Sequence, residues 1–181
     1  MMIFRDPKIE DFEFYYELKC EPSSIYWSGF EKAPDKDNLY GHFVNIINKG
    51  IPGRDFYILE DNGIPVGYIQ LTHNSGNEVE IGYGVSEKYR GKGYGYSLLE
   101  KAKDIVANMS SCVNLIGYVR EDNYSSKKCF EKNHFEHRTD YVERYFALEK
   151  KKIKMYLYIW NREIQIPKET GQQYGKNKTD K

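Results

Sequence analysis

Val85 to Gly95 reads Val-Ser-Glu-Lys-Tyr-Arg-Gly-Lys-Gly-Tyr-Gly, and an amphipathic helical pattern, Tyr96 to Met109, follows it directly. A glycine-rich turn between a strand and a helix points to an α/β fold and places a helix N-terminus at the turn. Glycines at 91, 93 and 95 let the backbone adopt positive φ and approach a ligand closely, and first-turn N–H groups lack intrahelical acceptors. Such a turn suits an anion. Spacing excludes two named phosphate loops. Lys92 is followed by Gly93, leaving no hydroxyl where a Walker loop holds its magnesium ion. Only Tyr94 separates Gly93 from Gly95, where a dinucleotide fingerprint needs two residues.

The strand before the turn, Glu78 to Val85, has two unlike faces. Val79, Ile81, Tyr83 and Val85 point one way; Glu78, Glu80, Gly82 and Gly84 point the other. Upstream, Met2 to Arg5 is a short strand, and a helix begins near Asp11 with Phe12, Tyr15 and Tyr16 on one face. Glu21 to Pro34 is expected as a loop carrying Tyr26, Trp27 and Phe30. A second helix, roughly Asp37 to Lys49, stops at Gly50. Asp55 to Glu60 and Ile64 to Thr72 form a hairpin across Asp61-Asn62-Gly63, a type I′ signal. The helix after the glycine turn is expected to bury Leu98, Ala102, Ile105 and Met109, with Leu99 and Val106 beside them. Asn114 to Arg120 is the next strand, Asn123 can cap a helix through about Asn133, and Phe135 to Tyr141 can pair with Ile153 to Trp160. Strand, helix, strand in this order implies parallel strands with a right-handed crossover. Residues 1 to 165 are expected to form one domain, with a polar, mobile tail over 166 to 181.

The anion must be met locally, because Lys plus Arg equals Asp plus Glu at 27 each. That balance gives no bulk attraction to nucleic acid or to an acidic membrane. Cys20, Cys112 and Cys129 are odd in number and form no CxxC pair, which predicts reduced thiols. With no signal-peptide pattern at the N-terminus and no run near the ~20 apolar residues of a membrane span, a cytoplasmic location is expected. His134 and His137 have i, i+3 spacing but no accompanying ligand set, so no metal is expected. Lys150 to Lys152, with Lys154, read as a solvated approach to the last strand.

Two segments resemble one family. Arg90 to Gly95 matches a pattern of Arg or Gln, two residues, Gly, one residue, then Gly or Ala. Asn123-Tyr124-Ser125-Ser126 through Glu131-Lys132-Asn133-His134-Phe135 is similar to an Asn-x-x-Ser/Ala segment ending in Glu-Lys-x-Gly-Phe. Both resemble the GNAT superfamily of N-acetyltransferases, and Ile81-Gly82-Tyr83 with Glu131-Lys132 suit its branch of ribosomal-protein N-terminal acetyltransferases. The resemblance spans roughly residues 2 to 160. It implies a mixed α/β fold, a centrally splayed sheet of about six to seven strands flanked by about four helices. It also implies transfer of acetyl from acetyl-coenzyme A to a primary amine by direct attack, the acceptor being a small amine, an amino sugar or a peptide N-terminus. Two departures stand out: His134 where the family usually has glycine, and Phe130 where many members have a tyrosine that protonates the leaving thiolate.

The implied cofactor site comprises Tyr83, Gly84, Val85, Arg90, Gly91, Lys92, Gly93, Tyr94, Gly95, Asn123 and Ser126. Amides of Gly91 to Gly95 would take the pyrophosphate, Arg90 would add charge, and the Val85 amide could donate to the oxygen that gains charge. Glu80 is the candidate base, Ser126 the candidate proton donor to the thiolate, and Asn123 a candidate for orienting the coenzyme or a water. Tyr26, Trp27, Glu78, Glu80 and Tyr118 are candidate acceptor contacts. Neither Cys112 nor Cys129 has a paired histidine base, so no covalent enzyme intermediate is expected. The alternatives are a coenzyme-A-binding sensor or interaction module that has lost catalysis, and a nucleotide-phosphate binder. A monomer or homodimer is compatible with all of these.

Overall fold

The computed structural model describes residues 1–109 and 114–161. The expected tail and Cys112 lie outside the described residues. Along the chain run β1 (Met2–Arg5), α1 (Phe12–Cys20), α2 (Pro22–Ser28), α3 (Lys36–Ile47), β2 (Arg54–Asp61), β3 (Ile64–Asn74) and β4 (Glu78–Val85). They are followed by α4 (Tyr94–Ala107), β5 (Asn114–Arg120), α5 (Tyr124–Lys132), β6 (Glu136–Phe146) and β7 (Lys151–Asn161). The strands form a seven-stranded sheet in the order β1-β2-β3-β4-β5-β7-β6. Among the described residues the helices number five rather than about four.

The extra helix is α2, in the segment expected to be a loop. Pro22 stands in its first turn and Gly29, at φ 79°, closes it. Proline just inside a helix and glycine just past its end are the local signal that marks it. It is only seven residues long and buries no residue fully, so tertiary contacts rather than propensity must hold it.

The β2–β3 turn is as the sequence predicts: Asn62 and Gly63 both have positive φ, 50° and 81°, as a type I′ turn requires. Neighbouring strands pair antiparallel except β4 with β5. That parallel pairing covers Glu78 to Asn114, Val79 to Leu115 and Glu80 to Ile116 and goes no further. Past Glu80 the two strands part.

One sheet face packs on α4 and α5 through Leu98, Leu99, Ala102, Val106, Phe130, Ile81 and Leu115. Fully burying a leucine there contributes about 1.5–3 kcal/mol. The other face carries α1 and α3, with Tyr15, Leu18 and Phe43 against Phe56, Ile58 and Tyr68. Helix α4 starts at Tyr94 rather than Tyr96. Its buried stripe is Leu98, Leu99, Ala102 and Val106, while Ile105 and Met109 only border the core. Gly95 is therefore helical and has no positive φ. A Cβ there would meet the Cys129 sulfur at 3.4 Å, so this glycine serves the contact between α4 and α5.

Candidate active site

Where β4 and β5 part, a cleft of about 820 Å³ opens, walled by both strands, the glycine turn, α5 and the α1–α2 segment. Part of its polar character comes from the backbone. Ser86 N–H donates to the Val66 carbonyl at 3.1 Å, which makes Gly67–Val85 a non-hydrogen-bonded pair. The N–H and C=O of Val85 then point away from β3, and so do those of Tyr83, two residues earlier. The Val85 carbonyl is taken on that side by Arg90 Nε at 3.0 Å. With β5 gone from this level, the Tyr83 and Val85 N–H groups face the cleft.

Gly91 and Gly93 adopt φ of 76° and 86°. An added Cβ would meet nothing within 4 Å at either position, so conformation rather than space requires glycine here. Gly93 is the N-cap of α4 and supplies no side-chain cap. Ser97 N–H bonds back to Gly93 O at 3.1 Å, while the earlier N–H groups have no acceptor within the helix. The positive end of the α4 dipole adds to them. Tyr94 lines the cleft and ties its hydroxyl to Asp61 at 2.7 Å.

Arg90, expected as a nearby fixed charge, also has partners within the protein. It borders the cleft, but Nη1 donates to Ser23 Oγ at 2.6 Å and Nη2 lies 3.5 Å from Glu21. Glu21 in turn accepts from Ser86 Oγ at 2.7 Å and from Glu87 N–H at 3.0 Å. The guanidinium thus clasps the start of α2 to the glycine turn. Lys92 is outside the cleft wall, over the Tyr89 ring at 5.6 Å.

The two glycines of β4 also separate. At Gly82 an added Cβ meets open space, whereas at Gly84 it meets the Tyr68 ring at 2.7 Å and Leu18 at 3.2 Å. Gly84 is explained by packing, and Gly82 leaves the cleft floor bare. Glu80, two residues before Gly82, points to the same floor, and its carboxylate lies 3.6 Å from Arg144 of β6. Glu78 sits beside Asn114 at the far end of β4, outside the cleft.

At the start of α5, Asn123 Oδ1 accepts from Ser126 N–H at 3.1 Å, a helix cap. Ser126 Oγ and the Tyr83 hydroxyl are 3.2 Å apart. Burial pushes the Tyr83 phenol well above its ordinary value, and the neighbouring Cys129 adds to the rise. Phe130 is core: its ring would be 2.5 Å from a Cβ at Gly117 and packs on Phe135 at 4.8 Å. Burial raises the Cys129 thiol, opposite to what a nucleophile needs. His134, at φ 62°, takes the left-handed conformation that glycine adopts more easily, and Phe135 N–H returns to Phe130 O at 3.1 Å, closing α5.

Trp27 and Tyr118 line the cleft, while Tyr26 stands behind it. The Tyr26 hydroxyl donates to Glu149 at 2.9 Å and accepts from Arg120 at 2.9 Å. Arg120, 2% exposed, also bonds Asp122 at 2.6 Å and Glu149 at 2.6 Å. It lies against the rings of Tyr26 at 4.6 Å, Trp27 at 5.3 Å and Phe146 at 4.6 Å. Arg120 and Arg144 were not among the expected site residues. An arginine ending an apolar strand, opposite an aromatic segment, was a signal for Arg120; nothing local marks Arg144. His137 stacks on Tyr158 at 5.0 Å, and among the described residues no cluster of His, Cys, Asp or Glu is placed to hold a metal ion. No described helix is long and apolar enough to cross a membrane.

This backbone finds parallels among solved structures. A spermidine N-acetyltransferase from Vibrio cholerae, in complex with CoA and spermine, superposes with a TM-score of 0.78 at 14% identity, covering 90% of this chain and 96% of that one. A GNAT superfamily phosphinothricin acetyltransferase from Sinorhizobium meliloti, in complex with AcCoA, gives 0.72 at 18% identity, with 88% of each chain covered. An acetyl transferase from Salmonella typhimurium that modifies the N-terminal serine of a 50S ribosomal subunit protein gives 0.73 at 15%, covering 88% and 94%. No curated protein matches the chain in sequence. The family model for an acetyltransferase (GNAT) domain matches residues 2–136, and with the splayed sheet and glycine turn already described, the chain belongs to the GNAT acetyltransferase family.

Proposed function

We propose that this protein transfers acetyl from acetyl-coenzyme A to a primary amine by direct attack. The observation that carries the proposal is the parting of β4 from β5 beside the α4 N-terminus. It leaves the Tyr83 and Val85 N–H groups unpaired by β5, next to a turn that offers further N–H donors. The residues fit the donor: the amides of Gly91 to Gly95 suit its pyrophosphate, and the cleft-facing β4 backbone suits its amide-bearing arm. Bound acetyl-coenzyme A supplies an acetyl thioester as the electrophile.

An alkyl amine with a pKa of about 10.4 is protonated more than three decades over at pH 7. It must lose a proton before its nitrogen can attack. Glu80, on the bare floor beside Gly82, takes that proton directly or through a water. The new C–N bond forms as the C–S bond breaks, and the Val85 N–H donates to the carbonyl oxygen as it gains charge. Losing such a donor typically costs about 2.7–4 kcal/mol. The departing sulfur takes its proton from Ser126, whose hydroxyl sits within hydrogen-bonding reach of the Tyr83 phenol. That pair supplies hydroxyls on a site where Phe130 has none. Asn123 holds Ser126 in place through the cap.

Thiol release over a panel of amines tests the reaction, and Glu80→Gln tests the base. The variant should bind coenzyme A as the native protein does and turn over about 10²–10⁴-fold more slowly. Unchanged turnover across pH removes Glu80 from the role. Phe130 favours a second reading, a coenzyme A sensor without catalysis, and binding with no thiol release from any amine would select it.

A further inference from the structure

Resting on the acyl-transfer reading, we infer that the acceptor is an amine carrying a carboxylate close by, an amino-acid-like zwitterion, and that Arg144 recognises that carboxylate. Among the described residues Glu80 is the one carboxylate that lines the cleft, whereas Lys19, Arg120 and Arg144 line its acceptor side. The three cations are not equivalent. Arg120 is committed to Asp122 and Glu149 and buried. Lys19 donates to the Tyr68 hydroxyl at 2.7 Å and lies over the Tyr68 ring at 4.9 Å. Arg144 is 51% exposed, and among the described residues its counter-charge is Glu80 at 3.6 Å.

That distance exceeds a direct hydrogen bond, and a pair so open to solvent holds weakly. An incoming ammonium competes for Glu80, the group that must take its proton. Arg144 is then left without its counter-charge, one side-chain width from the reacting nitrogen. A carboxylate two or three bonds from the amine restores it, with the forked geometry that guanidinium offers an anion. The Tyr118 ring, 5.4 Å from the Arg144 guanidinium, keeps the side chain over the cleft. The same wall disfavours polycationic acceptors, because each further ammonium faces Arg144 or Lys19 with no carboxylate beyond Glu80 to receive it.

The test compares α- and β-amino acids with their own amides, and with ethylamine and spermidine, as acceptors for thiol release from acetyl-coenzyme A. The acids should exceed their amides in kcat/KM by about tenfold or more, the size of one charge-assisted contact. Arg144→Gln should raise KM for the acids by a similar factor, shrink the acid-to-amide ratio of kcat/KM toward one whatever it does to the amides themselves, and leave coenzyme A binding intact, with Arg144→Lys intermediate. Amides or spermidine outperforming the acids, or an acid-to-amide ratio unmoved by Arg144→Gln, overturns the inference while acyl transfer stands. Coenzyme A binding with no thiol release from any amine overturns both.

Discussion

Two glycines of one strand, separated only by Tyr83, should respond in opposite ways to a side chain. At Gly84 a Cβ would lie 2.7 Å from Cε1 of Tyr68 and 3.2 Å from Leu18. The Tyr68 ring cannot easily give way: it stacks on Phe56 at 5.3 Å, meets Tyr15 edge-on at 5.2 Å and has its hydroxyl held by Lys19. Overpacking of this kind costs about 1–3 kcal/mol. At about 2–4 °C per kcal/mol for a chain this long, Gly84→Ala should lower Tm by roughly 2–12 °C. At Gly82 a Cβ meets nothing within 4 Å, and valine suits an extended backbone, so Gly82→Val should match or exceed the native Tm, by up to about 1 kcal/mol. Its isopropyl group would nevertheless stand on the cleft floor next to Glu80. Displacing a reactant by about 1 Å can cost roughly 10²-fold, and turnover should fall on that scale. Circular dichroism melting and thiol-release kinetics on the three proteins decide the matter. Full activity in Gly82→Val refutes the cleft floor as the place of reaction, and a Tm loss there equal to that of Gly84→Ala refutes the assignment of open space.

Asn123→Ala removes the α5 cap and should cost about 0.5–2 kcal/mol, while Asn123→Asp should keep the native Tm; if Asp restores stability without restoring turnover, the amide acts beyond the cap. His134→Gly relieves a left-handed residue whose cost is about 1–2 kcal/mol, partly offset by the added freedom of the unfolded chain. A Tm gain of about 2–4 °C is expected, and a loss would mean the imidazole contributes packing. Hydrogen bonds from Arg120 hold the Asp122 and Glu149 carboxyls below their ordinary values. Groups with lowered folded-state pKa stabilise above the ordinary carboxyl range near pH 4 and lose that contribution as pH falls through the lowered values. Arg120→Met should therefore flatten the fall of Tm below about pH 4, and an unchanged acid slope would show that the cluster is not what titrates.

What was legible in the sequence was whatever local rules decide. The glycine turn, the Asn62-Gly63 hairpin, the Asn123 cap and the two faces of β4 each depend on φ, capping or a period of two within a few residues. Gly82 and Gly84 look alike in sequence because the ring that separates them, Tyr68, comes from β3. Gly95 looked like part of the turn because the start of α4 is set by its N-cap, Gly93, rather than by the apolar stripe. The direction of Arg90 depends on Glu21 and Ser23, and the Arg144 partnership with Glu80 joins opposite sides of the splay. None of these pairings leaves a pattern in the chain.

Helix α2 shows why its wall of the cleft was the least legible part. It has no fully buried residue, so the burial that stabilises α4 is not available to it. Polar clasps hold both ends instead. At its start, Ser23 N–H donates to Glu87 at 3.1 Å while Arg90 reaches Ser23 Oγ. At its end, Tyr26 and Trp27 lie against Arg120, and Gly29, close to the Phe146 ring, lets the chain turn away. The first clasp belongs to the glycine turn and the second to β5 and the β6–β7 turn. A helix held in this way spans the two sides of the parted sheet. Loosening the second clasp should leave the sheet intact and move Trp27, so this wall of the cleft can vary in shape without disturbing the glycine turn.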